Sequence, residues 1–285
     1  MSAGLEARWR ARRRRRRIAG LAWGGALAAA VLASAWFVEL SPAVLIAGLP
    51  RIGVYFAKLV PTLHVATLFA GPATEGSLAY WYYRLDLWLF LLLQTSQMAA
   101  LATLLGGLIG LALCFPASAN LAPWRGVLLL ARRLLDLLRS VPDLVYALIL
   151  VWAFGVGPLA GVAAITLHSA GALGKLFAEV VENADMRPFE AVRAAGGGMA
   201  AAIRYAILPQ VAPNFLSYAL LRFEINVRGA SVIGFVGAGG IGQELYTVIS
   251  FNYYQEISAI LVLIMITVSA IDLVSERLRS RAMAA

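Results

Sequence analysis

The chain has 285 residues, 61% of them hydrophobic and only 14% charged, with a mean hydropathy of +0.79. A soluble domain carries about 25% charged residues, so this much apolar surface has no place in one water-surrounded core, and an integral membrane protein is implied. The net charge of +9 does not indicate a nucleic-acid partner: eight of the 24 basic residues fall between Arg8 and Arg17, directly before the first apolar run, where they act as a topology signal.

A helix rises about 1.5 Å per residue and the hydrocarbon layer is about 30 Å thick, so roughly 20 mostly apolar residues are needed to cross it. Residues 18–40, 87–113 and 159–180 meet that requirement outright. Residues 134–154 begin polar at Asp136 and Arg139 and are interrupted by Pro142, 215–236 carry Arg222, Glu224, Asn226 and Arg228, and 257–274 are nearly clean until Asp272. The expected fold is an all-α polytopic bundle of about six transmembrane helices. Ala33-Ser34-Ala35 resembles a signal-peptidase site, but the apolar run before it is long for a signal and continues through Trp36-Phe37, which favours an uncleaved anchor.

An even count puts both termini on the cytoplasmic side. The inner segments then hold Arg8 to Arg17, Arg125, Arg132, Arg133, Arg187, Arg193, Arg204, Arg277, Arg279 and Arg281, and the outer ones only Arg51, Lys58 and Arg84, as retention of Lys and Arg on the inner face requires. Residues 1–86 therefore read as a basic start, a first span and a semi-polar segment on the outer face. That segment, 41–86, is punctuated by Pro42, Pro50, Pro61 and Pro72 and rich in interfacial aromatics at Tyr80 to Tyr83; it caps the bundle or touches a partner. Residues 87–285 form the core, with a cytoplasmic loop at 181–210.

The loop carries the clearest pattern. Glu190-Ala191 is followed by Gly196 six residues after the glutamate and by Leu208-Pro209 at eighteen and nineteen. A helix starting near Pro188 would end at Gly196 to Gly198, which take positive φ without a Cβ clash; a second helix, 199–207, would be broken by Pro209 before the next span. The product is a short helix-turn-helix suited to docking on a soluble partner, where an Ala/Gly-rich linker is the plainer account.

In the span at 215–236, Arg222 and Asn226 are i,i+4 neighbours on one face, and Glu224 and Arg228 on another. Charges there cost about 2.5–3.5 kcal/mol each on insertion scales, so they should face protein or a wet cavity. Glu224 would neutralise Arg228 within the helix, leaving Arg222 with Asn226, and a guanidinium fork matches the oxygens of a phosphate-like anion bidentately. Two roles fit this group: lining a substrate pathway, or holding helices together. His168 reads as a hydrogen-bonded interior histidine or a pathway residue, and Lys175 as a side chain reaching for the cytoplasmic headgroups. Gly237, Gly239, Gly240 and Gly242 lack the βαβ context of a dinucleotide site and form a gate, a re-entrant turn or a tight connector on the outer side. Gly174-Lys175 is no Walker loop, since position 169 is Ser and position 176 is Leu. The single cysteine, Cys114, allows no intramolecular disulfide, and no metal-ligating or nucleophilic constellation is present.

The loop resembles the signature of the permease subunits of ATP-binding-cassette importers: Glu-Ala-Ala, three variable residues, Gly, nine more, Ile, one more, Leu-Pro. Here Val192 replaces the last alanine, and Ala206 stands where isoleucine is expected, with Ile207 one place later. Arg139-Ser140-Val141-Pro142, His168 to Glu179, Arg222 to Arg228 and Gly237 to Gly242 look like the phosphonate-importer permease, with a departure at Gln94-Thr95, where Glu-Thr is expected. The resemblance covers about 91–279 and implies the MetI-like, type I importer architecture. It also implies a homodimer in the bacterial inner membrane, two ATPase subunits that carry the ATP and magnesium, no cofactor on the permease itself, and a periplasmic or lipid-anchored solute-binding protein. An ion-coupled secondary transporter, the rival reading, would show inverted repeats, and none is visible.

Overall fold

The computed structural model describes residues 2–284, with the side chains of 2–8, 10, 11, 283 and 284 outside the described ones; helices and turns occur among the described residues, and no strand. The chain separates into two compact units, Met1–Lys58 and Leu59–Ala285.

The first unit contains α1 (Ser2–Phe37) and nearly all of α2 (Pro42–Leu59). Within α1, Arg12–Phe37 is long and apolar enough to cross a membrane, and its apolar side chains point outward, as a lipid-facing helix requires. Residues 42–59, the first part of the proline-punctuated segment, are helical. Pro42 sits in the first turn, where a missing N–H leaves nothing unpaired, and only Pro50 is interior. At 18 residues, α2 also has the length and composition of a crossing.

In the second unit a 3-10 turn at Val65–Thr67 precedes the short α3 (Leu78–Trp81), capped by the Ser77 hydroxyl, which accepts from Tyr80 N at 3.0 Å. The helices α4 (Leu85–Ala117), α5 (Arg125–Ser140), α6 (Asp143–Phe154) and α7 (Pro158–Glu182) follow. The expected single span at 134–154 is instead the end of α5 and all of α6. Pro142 supplies no N–H and disfavours helix in the residue before it, so Val141 is extended at φ −83°, ψ 123°. Together α5 and α6 carry the chain back across the bundle. At one end Ala119 N donates to Glu182 and Asn120 Nδ2 donates to Val181 O at 2.9 Å; at the other Gly161 lies against Met98. So α4 and α7 run in the same direction and need a return path between them.

Missing side chains set the central packing. A Cβ added to Gly110 on α4 would stand 2.8 Å from Gly174 N, and one on Gly171 would stand 2.6 Å from Arg139 N and 2.8 Å from Leu135 O. With no hydrophobic drive between helices in lipid, such close backbone approach is a main source of packing energy. Gly171 and Gly174 are therefore the wedge that seats α7 between α4 and α5. Below it Leu135, Leu173, Phe177, Ile207 and Val211 form a buried cluster, with the Phe177 and Phe215 rings 4.3 Å apart.

The loop after α7 contains α8 (Arg187–Ala194) and α9 (Met199–Ala202) and leads into α10 (Leu208–Ile233). A five-residue π segment, Ile203–Ile207, joins α9 to α10, so Pro209 does not break the helix before the span, as expected, but sits in the first turn of α10. α11 (Ile241–Ser250) is bent by 48° from the preceding helix, and α12 (Tyr254–Ala284) completes the bundle. Among the described residues five helices are long and apolar enough to cross, or six if the bent pair counts as one crossing.

Candidate functional site

The loop at 181–210 is built from its ends inward. Asp185 N donates to Gln210 Oε1 at 3.1 Å and Gln210 Nε2 returns a bond to Asp185 O at 3.1 Å, so the end of the α7 side is tied to the start of α10. The Asp185 carboxylate accepts from Arg187 N, Nε and Nη2 at 2.7–3.0 Å. These bonds hold its carboxyl below the usual carboxylate range, with the Arg187 side chain the larger cause. Beyond this anchor α8 starts with Pro188 in its first turn, and no α8 residue is buried.

Glu190 and Ala191 are exposed on α8. Gly196 takes φ +86° and turns the chain towards α9, as its spacing from Glu190 suggests. Ala206 and Ile207 are both buried, so the wider π turn places the two candidates for the isoleucine position in the core together. Leu208 is half-buried and Pro209 exposed. The result is an outward-facing helical hairpin on a rigid base. Asp185 and Gln210, which make that base rigid, are not distinguishable in the sequence from any other loop polar residue.

The polar residues of α10 separate into two groups, though not with the predicted partners. Arg222 Nε donates to Ser169 Oγ at 3.1 Å, and Asn226 Nδ2 donates to Ser169 Oγ at 2.9 Å and to Thr103 Oγ1 at 2.8 Å. Asn226 is buried and Arg222 half-buried, so the face predicted from their spacing is real, and α4 and α7 complete it. Glu224 and Arg228 do not pair with each other. Arg279 Nη2 lies 3.0 Å from Glu224 Oε1, without hydrogen-bond geometry, and Arg228 Nη2 donates to Asp272 at 3.1 Å. Both partners come from α12, because the side of α10 that carries Glu224 and Arg228 packs on α12, and interhelical partners satisfy these charges there.

His168 Nδ1 lies 2.9 Å from Val141 O, where it meets the carbonyl freed by the break between α5 and α6. Lys175 reaches Asp136 on α5 at 3.2 Å rather than extending alone to the headgroups. The partner roles of Ser169, Thr103 and Asp136 are not visible in the sequence, because hydroxyls and isolated acids carry no spacing signal.

At the opposite end of the bundle from the loop, Gly237, Gly239 and Gly240 take φ +85°, +81° and +73°. Gly240 has ψ −168°, a region open essentially only to glycine, and an added Cβ would run into Thr95 Oγ1, which accepts from Ile241 N at 2.9 Å. Gly242 sits against the Ser231 carbonyl oxygen with no room for a side chain. The turn walls a cavity of about 430 Å³ with Gln94, Gly157, Gln243 and Thr247. Thus Gln94 faces the cavity, and its neighbour Thr95 caps the helix that closes it.

Residues 119–281 match the model of the binding-protein-dependent transport system inner membrane component family. The chain is 40% identical over 250 residues to the phosphite transport system permease protein PtxC of Stutzerimonas stutzeri, covering 87% of this chain and 84% of that one. It is 34% identical over 250 residues to the phosphate-import permease protein PhnE of Mycolicibacterium smegmatis, covering 88% of this chain and 44% of that one. In fold it is similar to a chain of the MetNI methionine ABC transporter in an inward-facing conformation, with a TM-score of 0.59 at 22% identity, covering 70% of this chain and 98% of that one. The chain belongs to the family of binding-protein-dependent transport system inner membrane components: it is a multi-pass permease subunit of an ATP-binding-cassette importer, and not an enzyme.

Proposed function

We propose that this permease carries phosphonate, phosphite or a related small oxyanion inward across the bacterial inner membrane, as a homodimer driven by two ATPase subunits and supplied by a periplasmic or lipid-anchored solute-binding protein. Glu190, Ala191, Gly196, Leu208 and Pro209 form the element that the ATPase grips, and ATP with magnesium stays on that partner. The glycine turn at Gly237, Gly239, Gly240 and Gly242 acts as the outer gate. His168 serves this path indirectly, by holding the α5–α6 break in place.

The observation that carries the substrate reading is the state of Arg222. Among the described residues Glu224 and Arg228 each have an oppositely charged partner within ion-pair distance, whereas Arg222 donates to the Ser169 hydroxyl and has no carboxylate that close, Asp143 acting on it only from farther off. A half-buried guanidinium with no carboxylate in direct contact favours an anion, and its fork matches the oxygens of phosphonate, phosphite and phosphate. The names of the relatives, phosphite and phosphate permeases, agree with that chemistry.

The orientation has both termini in the cytoplasm. Five passes from α4 to α12, counting α5–α6 as one and α10 with α11 as one, bring the docking loop and the C-terminus to the same side. If α1 crosses and α2 lies along the outer face, the cluster from Arg8 to Arg17 falls on that side too; if α2 crossed as well, the cluster would be stranded outside, against the retention of basic residues within.

The test is ATP turnover by the reconstituted importer with its binding protein, stimulated by phosphonate, phosphite or phosphate. Wild type should respond to at least one of them, Arg222→Ala should lose most of the response, and Glu190→Ala should lose stimulation by all of them. Normal uptake by Arg222→Ala would refute the pathway role, and full coupling in Glu190→Ala would refute the docking role.

A further inference from the structure

The outer end of the second unit carries a second cavity, of about 340 Å³, whose walls differ in kind from those of the glycine-turn cavity. Tyr80, Trp81, Tyr83, Tyr253 and Tyr254 line it, and its one charged group is Glu256, in the first turn of α12. The 33 residues of α4 put it about 50 Å from the docking loop.

Aromatic residues at the end of a membrane bundle are ordinary interfacial anchors, and such a belt needs no carboxylate. Here the carboxylate is placed with care. Tyr83 Oη donates to Glu256 Oε1 at 2.8 Å. Trp81 Nε1 donates to Gln255 O at 3.0 Å and to Ser258 Oγ at 3.2 Å, which fixes the indole against the start of α12. The hydroxyl of Tyr83 is raised above its ordinary range, by burial first and then by its bond to Glu256, so it stays a donor at neutral pH. Glu256 Oε2 is buried and has no hydrogen-bond partner. A carboxylate oxygen held out of water without a donor is costly, and an N–H-bearing cation removes that cost. The nearby cation on the protein, Arg84, is bound to Glu244 at 2.9 Å and does not fill the role. Aromatic walls around a carboxylate attract ammonium groups through the ring quadrupole as well as through the charge.

We propose that this cavity is a binding site for a primary alkylammonium group, with Glu256 as its counterion and the Tyr and Trp side chains as its walls. Because the orphaned oxygen needs an N–H, a primary ammonium binds more tightly than a quaternary one of similar size. Two sources present that group at the outer face: the ethanolamine headgroup of a lipid, or the amino end of a solute such as an aminoalkylphosphonate.

The full-length permease in nanodiscs of phosphatidylglycerol alone, titrated with ethanolamine and with choline and read by tryptophan fluorescence or calorimetry, tests this. Ethanolamine should bind at least several-fold more tightly than choline, and Glu256→Gln, which keeps the shape of the side chain, should weaken ethanolamine at least tenfold. Tyr83→Phe should weaken it by less, because it removes only the donor that orients the carboxylate. Competition by phosphatidylethanolamine in the nanodisc identifies the lipid source, and competition by 2-aminoethylphosphonate identifies the solute source. Absence of ethanolamine binding, choline binding as tight as ethanolamine, unchanged binding in Glu256→Gln, or competition by neither compound would each overturn the site.

Discussion

Asp185 and Gln210 are bound to each other in both directions, backbone N–H to side-chain carbonyl and side-chain amide to backbone carbonyl, each at 3.1 Å. Gln210 Nε2 also donates to Ala206 O at 2.6 Å, so one side chain ties the exit of α7, the π segment and the start of α10 into one piece. If the ATPase grips α8 as proposed, a push on it would reach α10 through this bonded base instead of being lost in a slack loop. Gln210→Leu should assemble normally with the ATPase yet lose several-fold in substrate-stimulated ATP turnover while retaining basal turnover. An unchanged ratio of stimulated to basal rate would show that the clamp carries no force.

Asp185 adds a pH signature to that base. Arg187 lowers its folded-state pKa below the ordinary 3.8, so the stabilisation is complete above that value and fades as pH falls through the lower folded value. Hydrogen exchange of the loop amides should show the same protection relative to Asp185→Asn throughout the neutral range, with the difference closing only below about pH 4. A difference that closed near pH 6 would contradict the assignment.

Asn226 bridges three helices through Thr103 and Ser169. Asn226→Leu leaves two buried hydroxyls short of a partner, and the thermal midpoint of the detergent-solubilised protein should fall by the equivalent of about 0.6–2 kcal/mol, the range of interhelical hydrogen bonds in membranes. Adding Thr103→Val and Ser169→Ala should cost less than the sum of the three single changes, since the unsatisfied groups go together.

The pairing of Glu224 with Arg279 and of Arg228 with Asp272 is open to a double-mutant cycle. Glu224→Gln with Arg279→Gln should depart from additivity by roughly 0.5–3 kcal/mol, and Glu224→Gln with Arg228→Gln should add within about 0.5 kcal/mol. The reverse pattern would restore the intrahelical pair.

Gly240→Ala forces a side chain into a backbone region almost closed to it and into the Thr95 hydroxyl. The strain alone is about 1–3 kcal/mol. Lower expression and lost uptake are expected, and trimming Thr95 to alanine in the same protein should not rescue it, because the φ and ψ remain forbidden. Rescue would mean that the steric contact alone sets the cost.

The sequence by itself determined the membrane class, the helical fold, the helical hairpin within 181–210 and the face shared by Arg222 and Asn226. Hydropathy, glycine turns and i,i+4 spacing are local properties, and they survive folding. Only the tertiary structure decided partners. Glu224 and Arg228 meet α12 residues more than forty positions away, His168 meets a carbonyl freed by Pro142, and Gly171 and Gly174 are packing surfaces rather than a phosphate loop. Helix faces can be read along a chain, but which helix lies opposite depends on how close backbones can come, and in lipid that is settled by where the side chains are missing.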